Sequence, residues 1–460
     1  MGAINSTVTG VLRTAQAACF DSGIESQFCP TIPDDILAHI FAMLESTQAD
    51  SKILPELVLA SHVARQWRDV ALHTGTLWSR IYASPDHSPS MIAAYMRRSQ
   101  QSYLHITYRC SLIDFDARAQ SEVITPTWIS FLSQSHRWQS LIVLSGNELE
   151  IFLLSQTLQS ISVPHLRSLQ LDANSEDHRV VSYLATEPLL FQGVESALFS
   201  GSAQALTLCK IRGISPMFCY PSAGHLTELS LHADMNQFFM TYDNFHNLLS
   251  TASNLGRLNL RGEVFEATGH GCPPLSILLP RLIHLDISAD LDLDNLVNGY
   301  VFVVFSSIEA PNLETLVFSS DCEALSTRAF VEATRNGAVY PALRTLRLCD
   351  ISFDLITSEF MLSTPQIQDF TIALFGQTNS NISVLLEGPE RLWPCLQDLS
   401  VDTNHGSRIL ELVSARIALG HPLRSLHLAP QLVHGFDQPT LKWLLKNIEL
   451  DNNFHFEAEF

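Results

Sequence analysis

The sequence lacks the features that mark several common classes of protein. Its nine cysteines are an odd number, are scattered from Cys19 to Cys395, and include no C-x-x-C pair. This spacing argues against structural zinc and thioredoxin-like redox chemistry, and buried reduced thiols fit it best. Lysine and arginine number 27 against 47 aspartates and glutamates, and no basic run exceeds the "MRR" of residues 96–98. An acidic surface repels phosphate backbones, so we expect no binding to nucleic acid.

Secretory signals and long hydrophobic runs are also missing. The N-terminus has no apolar signal-peptide core, and the most apolar stretch, residues 296–308, is too short and too interrupted to span a bilayer. We therefore expect no integral membrane segment and a cytoplasmic or nuclear location. The opening "MGAINS" does match the N-myristoylation pattern at Gly2 and Ser6. That pattern is short and occurs by chance, and one acyl chain anchors only marginally.

Enzyme signatures are absent as well. The P-loop, the G-x-S-x-G elbow and the H-E-x-x-H zinc motif do not occur. His405, His421, His427 and His434 form a loose group, but on separate repeating units such residues are more often surface or turn residues than metal ligands. The Asp-rich residues 286–295 lack the frame of a calcium loop. We expect no catalytic residues, no metal and no cofactor.

The first patterned stretch is "IPDDILAHIFAML", residues 32–44. Its apolar residues recur at helical spacing: Ile36, Leu37, Ile40, Phe41 and Leu44. Proline suits a first helical turn, and the two aspartates after it would lie near the positive end of the helix dipole. The spacing predicts a helix from about residue 33. Its apolar face belongs either to the core of this chain or to a contact with a partner.

Two further helical segments follow. Residues 53–75 carry apolar residues at four-residue steps, and Gly75 suits the C-terminal end of that helix. The face consists of Leu59, Val63, Trp67 and Val70 with Ala71. A short third segment, residues 76–82, reads "TLWSRIY".

Together, residues 30–82 resemble the F-box and are most similar to fungal F-box proteins. The resemblance is carried by Ile-Pro, then I-L-x-x-I-F, then L-x-x-x-V-x-x-x-W-R-D-V-A, then L-W-x-x-I. Two features depart from the family pattern: Ile32 replaces the usual leucine, and the loop after the first helix is several residues longer.

The resemblance implies a small three-helix module that docks onto the Skp-family adaptor of an SCF-type ubiquitin ligase. The residues implied to contact the adaptor or to support the docking face are Ile32, Pro33, Ile36, Leu37, Ile40, Phe41, Leu59, Val63, Trp67, Leu77 and Trp78. Leu59, Val63, Trp67 and Trp78 would be shared between that face and the core, and Trp67 belongs more to the core. A module of about 50 residues buries little apolar area alone, so its helix can leave apolar surface for a partner.

The rest of the chain is periodic. Nine frames fit L-x-x-L-x-L-x-x-N, the first being "HLRSLQLDAN" at residues 165–174. Their first apolar positions are 166, 226, 255, 282, 313, 343, 367, 396 and 423. From position 226 onward the step is about 28 residues, close to the range of leucine-rich repeats. Weaker copies occupy 137–146, 193–202 and 205–214, and the last two are too close together for both to be repeats.

These frames predict a leucine-rich-repeat solenoid over residues 111–438. The x-L-x-L part alternates, so it predicts a short strand with one apolar face, and each unit buries that face only against its neighbours. The predicted fold is α/β: a curved parallel sheet with helices on the convex side. Before it we place an N-terminal extension (1–29), the F-box (30–82) and a junction helix and strand (83–110). After it comes a C-terminal cap (439–460).

Outward-facing strand residues are the candidate contacts for a target protein. They are Ser168, Gln170, Glu228, Ser230, Arg257, Asn259, His284, Asp286, Thr345 and Arg347. Some ten strands at ~4.8 Å spacing form a face roughly 45–50 Å across, enough for a standard protein interface. The expected function is that of an adaptor, not an enzyme: it would bind the Skp-family subunit and an unknown target for ubiquitin transfer. The alternative is a leucine-rich interaction scaffold that acts outside a ubiquitin ligase.

Overall fold

The structure, a computed structural model, divides the chain into two compact units, residues 1–107 and 108–460. It describes residues 32–46, 58, 60–84, 87–110, 125–146, 148–173, 197–199, 202–214, 220–221, 223–233, 240–266, 275–289, 297–320, 330, 340–349, 358–373, 393–401, 406–428 and 430–451. The N-terminal extension with Gly2 lies outside these ranges.

The first unit combines helices with two strands. Its elements are α1 (Asp34–Ser46), α2 (Arg65–His73), a 3₁₀ turn (Gly75–Trp78), β1 (Arg80–Ala83), α3 (Pro89–Arg98) and β2 (Leu104–Arg109), whose last two residues belong to the second unit. The segment predicted as a junction helix and strand corresponds to α3 and β2. Leu104 and Ile106, the two apolar positions of that strand, are 0% and 1% exposed.

The single helix predicted over residues 53–75 is wrong. Residues 61–63 form a turn and Ala64 is extended, with φ −147° and ψ 160°, so α2 begins only at Arg65. A side chain closes the turn, because the Ser61 hydroxyl donates to the carbonyl of Val58 at 2.7 Å. Serine competes for backbone groups in this way, which periodicity alone does not reveal. The segment "TLWSRIY" is likewise a 3₁₀ turn that runs into β1, not a helix throughout.

A long parallel sheet organises the second unit, as the repeating frames predicted. Its strands pair in chain order and in register. They are β3 (Trp138–Leu144), β4 (Ser168–Asp172), β5 (Leu208–Arg212), β6 (Glu228–His232), β7 (Arg257–Arg261), β8 (His284–Ala289), β9 (Thr315–Ser320), β10 (Thr345–Cys349), β11 (Asp369–Ala373), β12 (Asp398–Val401), β13 (Ser425–Leu428) and β14 (Glu449–Asp451). The cap segment thus adds a strand, β14, that the sequence pattern did not predict.

All nine clear frames coincide with a strand of this sheet. Of the two crowded weak copies, the one at 205–214 carries β5. The other provides only Ala197–Leu198, which pairs with Tyr220–Pro221 in a separate two-stranded sheet. The short strands Phe265–Glu266 with Met240–Thr241, and Ile277–Leu278 with Ile308–Glu309, form two more such pairs.

The same turn precedes each strand from β4 to β12. The N–H of the first apolar residue of the frame donates to the carbonyl three residues earlier, as in Leu255 to Ala252 at 3.0 Å and Leu396 to Trp393 at 3.1 Å. The residue before each strand then accepts two N–H groups from the next unit; the Thr227 carbonyl accepts from Gly256 and Arg257 at 2.9 and 3.0 Å. This repeated pattern satisfies the backbone groups at the start of every strand.

Three rows of apolar side chains form the core of the second unit. The row from the turn consists of Leu166, Leu206, Leu226, Leu255, Leu282, Leu313, Leu343, Ile367, Leu396 and Leu423, and none is more than 3% exposed. The two inward positions of each strand supply the other rows, for example Leu258 and Leu260 of β7, both 0% exposed. Burial of one such side chain stabilises the fold by about 1.5–3 kcal/mol.

The helices of the second unit lie between the strands in sequence. They are α4 (Pro126–Leu132), α5 (Glu148–Leu158), α6 (Tyr242–Thr251), α7 (Val297–Ser307), α8 (Ser358–Ser363), α9 (Gly406–Ala418), α10 (Pro430–Gly435) and α11 (Gln438–Asn447). None of the helices in the described part of the chain is long and apolar enough to cross a membrane.

Cys209 is buried without a disulfide, and burial raises the pKa of its thiol to about 12, which makes it unreactive.

Candidate functional site

Helix α1 presents apolar residues on two sides. Leu37 and Phe41, four residues apart, are 0% and 1% exposed, whereas Ile36 and Met43 are 50% and 52% exposed. Ile40, half-buried, lies between Ile36 and Met43 on the helix surface, because residues four and seven apart fall on one side of a helix. We call Ile36, Ile40 and Met43 the outward stripe.

The inward side of α1 packs into a small core. This core consists of Leu37, Phe41, Ala60, Val70, Ala71, Leu77 and Trp78. Its largest member is anchored by polar contacts as well, since the Trp78 indole N–H donates to the Ala71 carbonyl at 2.6 Å. The Arg98 guanidinium lies 4.4 Å from the centroid of the Trp78 ring, and the Tyr95 ring packs edge-on against it with centroids 5.0 Å apart. Helix α3 therefore completes this core, which the F-box resemblance alone did not predict.

The start of α1 is tied to the start of α2. The Gln66 side-chain amide donates to the Ile32 carbonyl and to the Asp34 carboxylate, both at 2.8 Å. The Pro33 carbonyl accepts the first helical hydrogen bond, from the N–H of Leu37 at 2.9 Å. These bonds fix the direction in which the chain enters α1, and with it the placement of the outward stripe.

The residues implied for docking are divided by the structure. Leu37, Phe41, Leu77 and Trp78 are enclosed within the unit itself, so they can support a docking face but do not form its surface. Pro33 and Ile36 are exposed; Ile32, Ile40, Val63 and Trp67 are half-buried; and Leu59 lies outside the described residues. The Trp67 ring packs edge-on against Phe41 at 5.5 Å, which makes it largely a core residue.

Met43 is the member of the outward stripe that sequence reasoning missed. It follows Ile36 by seven residues, and that spacing was available in the sequence. The F-box motif itself ends with Ile40 and Phe41 and does not include this position. Methionine is a flexible and adaptable side chain at binding surfaces.

The outward side chains of the sheet lie in straight rows. Each strand from β4 to β10 pairs in register with the next, so equivalent outward residues line up across the sheet. One row contains Ser168, Glu228, Arg257, His284 and Thr345. The next row contains Gln170, Ser230, Asn259, Asp286 and Arg347. All ten candidate target contacts are thus brought onto one face, where each is half-buried or exposed.

Strand β5, whose frame was ambiguous in the sequence, adds residues to this face. Leu208 and Lys210 lie in the two rows, between β4 and β6. A third row, which was not predicted, contains Asp172, Arg212, His232, Arg261 and Ser288. The polar residues predicted to follow each strand in the turn (Asn174, Asp234, Asp290, Asp321 and Asn404) lie outside the described residues.

Some charged groups of the face are paired with one another. Lys210 Nζ lies 3.4 Å from Glu228 Oε1. Toward the C-terminal strands, Asp398 accepts both Arg424 Nε at 3.0 Å and the Ser425 hydroxyl at 2.5 Å. Asp369 is the neighbour of Asp398 on β11, and its pKa is raised mainly by burial, while Arg347 opposes the shift.

Residues 29–84 match the family model of the F-box-like domain. The match covers α1, α2, the 3₁₀ turn and β1, and it includes the whole outward stripe and all seven residues of the small core. No curated protein matches the chain. An F-box-like domain points to a role in protein–protein interaction.

Proposed function

We propose that this chain is the substrate-recognition subunit of an SCF-type E3 ubiquitin ligase. Its F-box-like domain would bind the Skp-family adaptor, and its sheet face would bind a target protein. The chain itself would carry no catalytic step, since ubiquitin transfer belongs to other subunits. The observation that carries the proposal is the outward stripe on α1, an apolar surface within a domain that matches the F-box-like model.

The outward stripe fits an adaptor that offers an apolar groove. Ile36, Ile40 and Met43 present aliphatic and thioether groups on one side of a helix, which is how an amphipathic helix enters an apolar groove. Ile36 and Met43 are half-exposed, so a partner that covered them would remove apolar surface from water. Each Å² of apolar surface buried in this way contributes roughly 25 cal/mol to the free energy of binding. Pro33, exposed just before the helix, extends the same surface at its N-terminal end.

A leucine-rich-repeat solenoid is our proposal for the second unit. It is supported by the repeated turn before nine strands, by the three continuous apolar rows, and by strand pairing that follows chain order. Each of these features is expected when equivalent units bury their apolar sides only against their neighbours. Such a fold offers a broad polar face, on which the ten candidate contacts lie.

The adaptor contact can be tested with purified proteins. The full chain is immobilised, and retention of a purified Skp-family adaptor is compared for wild type, Ile36→Asp/Met43→Asp and Ala42→Asp. Ala42 is exposed on the same helix but lies ~120° from Ile36 around its axis, so it controls for added charge. We expect the stripe variant to lose at least about tenfold in affinity, equivalent to 1.4 kcal/mol, and the control to bind as wild type.

Two results would count against the proposal. One is a wild-type chain that does not retain the adaptor. The other is a stripe variant that retains it as well as Ala42→Asp does. If the chain binds targets but never the adaptor, the alternative of an interaction scaffold outside a ubiquitin ligase takes its place.

A further inference from the structure

The outer side of α11 presents apolar and basic side chains together. Trp443 and Leu445 are 37% and 57% exposed, and Lys442 and Lys446 are exposed as well. Leu444, between Trp443 and Leu445 in sequence, is 0% exposed and holds the opposite side of the helix in the core. A stack of repeating units needs a polar outer surface on its terminal unit to stay soluble, and the two exposed apolar residues of α11 depart from that rule.

The four exposed residues follow a fixed order around the helix. At 100° per residue the order is Leu445, Lys442, Lys446 and Trp443, over an arc of about 160°. The two lysines therefore lie in the middle, and one large apolar side chain flanks them on each side. We call these four residues the α11 surface.

The two lysines have no anionic partner in the part of the chain that the structure describes, since none of its salt bridges includes either of them. The nearest acids in sequence are placed elsewhere. Asp437 caps the start of the helix, where it accepts the N–H of Thr440 at 3.0 Å, and Glu449 lies on β14 in register with Ser425. The positive charge of the α11 surface is therefore available to an acidic group.

The sequence that follows β14 has the complementary order. Residues 452–460 read "NNFHFEAEF" and lie outside the described ranges. Within them, Phe456 and Phe460 enclose two glutamates, Glu457 and Glu459. The α11 surface has two apolar residues that enclose two lysines, so apolar groups and charges can match along one short contact.

The connection is long enough for this contact. The segment begins directly after Asp451, the last residue of β14, and only Ile448 separates β14 from α11. Fully extended, the chain carries residue 456 up to roughly 17 Å and residue 460 up to roughly 30 Å from Asp451, whereas α11 is about 15 Å long. A segment attached in this way acts at an effective concentration in the millimolar range, so contacts too weak to hold a separate peptide can hold it.

We propose that residues 452–460 bind to the α11 surface of their own chain. The two phenylalanines cover the exposed apolar residues, and the two glutamates pair with the lysines. The contact removes apolar area of the terminal unit from water, as a capping segment does. It requires neither an adaptor nor a target protein, so it does not depend on the proposed ligase function.

Tryptophan fluorescence tests this contact in the full chain. Trp443 is the most exposed of the six tryptophans, since Trp67 is half-buried and the other four are 0% exposed. Quenching by acrylamide, which is uncharged, therefore reports mainly on Trp443, and the same measurement on Trp443→Phe gives the background of the other tryptophans. Wild type is compared with Phe456→Ser/Phe460→Ser and with the control Asn452→Ser/Asn453→Ser, which changes polar residues of the same segment.

We expect the phenylalanine variant to raise the quenching constant of Trp443 at least about twofold, because most of the bound population is lost. The asparagine control should behave as wild type. Lys442→Glu/Lys446→Glu should also release the segment, since like charges then face each other. Addition of Glu457→Lys/Glu459→Lys to that variant should restore the protection of Trp443, because the charges pair again in the opposite sense. This charge exchange keeps the test decisive if unfolding curves show that the phenylalanine variant does not fold.

Three results would overturn the proposal. The first is a Trp443 that is quenched equally in wild type and in a folded variant with either the phenylalanines or the lysines replaced. The second is a charge exchange that fails to restore protection. The third is protection that disappears on dilution of the protein, because a contact within one chain does not depend on protein concentration, whereas a contact between two copies does.

Discussion

Ile36 and Leu37 are adjacent in sequence but differ fully in environment: Ile36 is 50% exposed and Leu37 is 0% exposed. Successive residues are separated by about 100° around a helix, so one turns outward while the other enters the core with Phe41 and Trp78. Apolar residues therefore have two roles in α1. Leu37 holds the unit together, and Ile36 is available to a partner.

Truncation of these two residues should separate stability from binding. Leu37→Ala removes a fully buried side chain and should cost about 2–5 kcal/mol in the stability of the first unit, whereas Ile36→Ala should change it by about 0.5 kcal/mol or less. Hydrogen exchange of amides in residues 34–83 measures this local stability. Equal protection in the two variants would contradict the division of α1 into a core side and an outward side.

Gln66 should act as a positioning residue for α1. Replacement with methionine keeps its length but removes both donors, to the Ile32 carbonyl and the Asp34 carboxylate. We expect faster amide exchange at the start of α1 and an adaptor affinity reduced by about three- to tenfold, or roughly 0.5–1.5 kcal/mol. Gln66→Glu should speed amide exchange and weaken adaptor binding further, because the new carboxylate is repelled by the carboxylate of Asp34. A methionine variant with unchanged exchange and unchanged affinity would show that this tie is dispensable.

Gly262 should not tolerate a side chain. Its φ is +66°, and a Cβ atom there would overlap the carbonyl oxygen of Ala233 on the neighbouring strand. Gly262→Ala should therefore cost roughly 1–3 kcal/mol in strain, with more from the shift of the backbone. The matched control is Gly146→Ala, since Gly146 is exposed and a Cβ there meets no atom within 4 Å. Urea unfolding of both variants measures the difference, and equal midpoints would refute the expected clash.

Glu263 should make the stability of the second unit depend on pH. The residue is 5% exposed, and burial raises the pKa of its carboxyl from 4.5 to about 7. Between these two values the folded chain holds a proton that the unfolded chain has lost, so stability falls as pH rises from about 4.5 to 7. Each unit of pKa corresponds to about 1.4 kcal/mol.

Glu263→Gln should remove this fall. We expect urea midpoints of wild type and variant to agree near pH 4.5 and the variant to be more stable above pH 7, because glutamine has no proton to lose. A wild-type chain whose unfolding midpoint shows the same pH dependence as the variant would mean that the folded chain does not hold the Glu263 proton between about pH 4.5 and 7.

Much of the fold was predictable from local pattern. Every clear frame produced a strand because x-L-x-L alternation assigns one side of a strand to the core wherever it occurs. The spacing of Ile36, Leu37, Ile40 and Phe41 predicted α1 for the same kind of reason. The break at Ala64 was not predictable in this way, since the apolar spacing of Leu59, Val63 and Trp67 continues through it.

Arg416 illustrates what pattern cannot supply. It lies in α9, where an arginine is expected to face solvent, yet it is 1% exposed. Its guanidinium donates to the carbonyls of His421, Trp393 and Leu396 at 3.1–3.3 Å. The two carbonyls on the preceding turn are 20 and 23 residues away in sequence, so no local rule brings them to α9.

By itself, then, the sequence determined the run of parallel strands and the side of each strand that enters the core, because these follow from the spacing of apolar residues along the chain, and its N-terminal motifs carried the resemblance to the F-box. The tertiary structure alone decided which apolar residue of α1 remains exposed, how Gln66 holds the entry to that helix, and which outward side chains of the sheet share a row. The reason is physical: exposure, hydrogen bonding and strand register are set by groups far apart in sequence, and only packing brings them together.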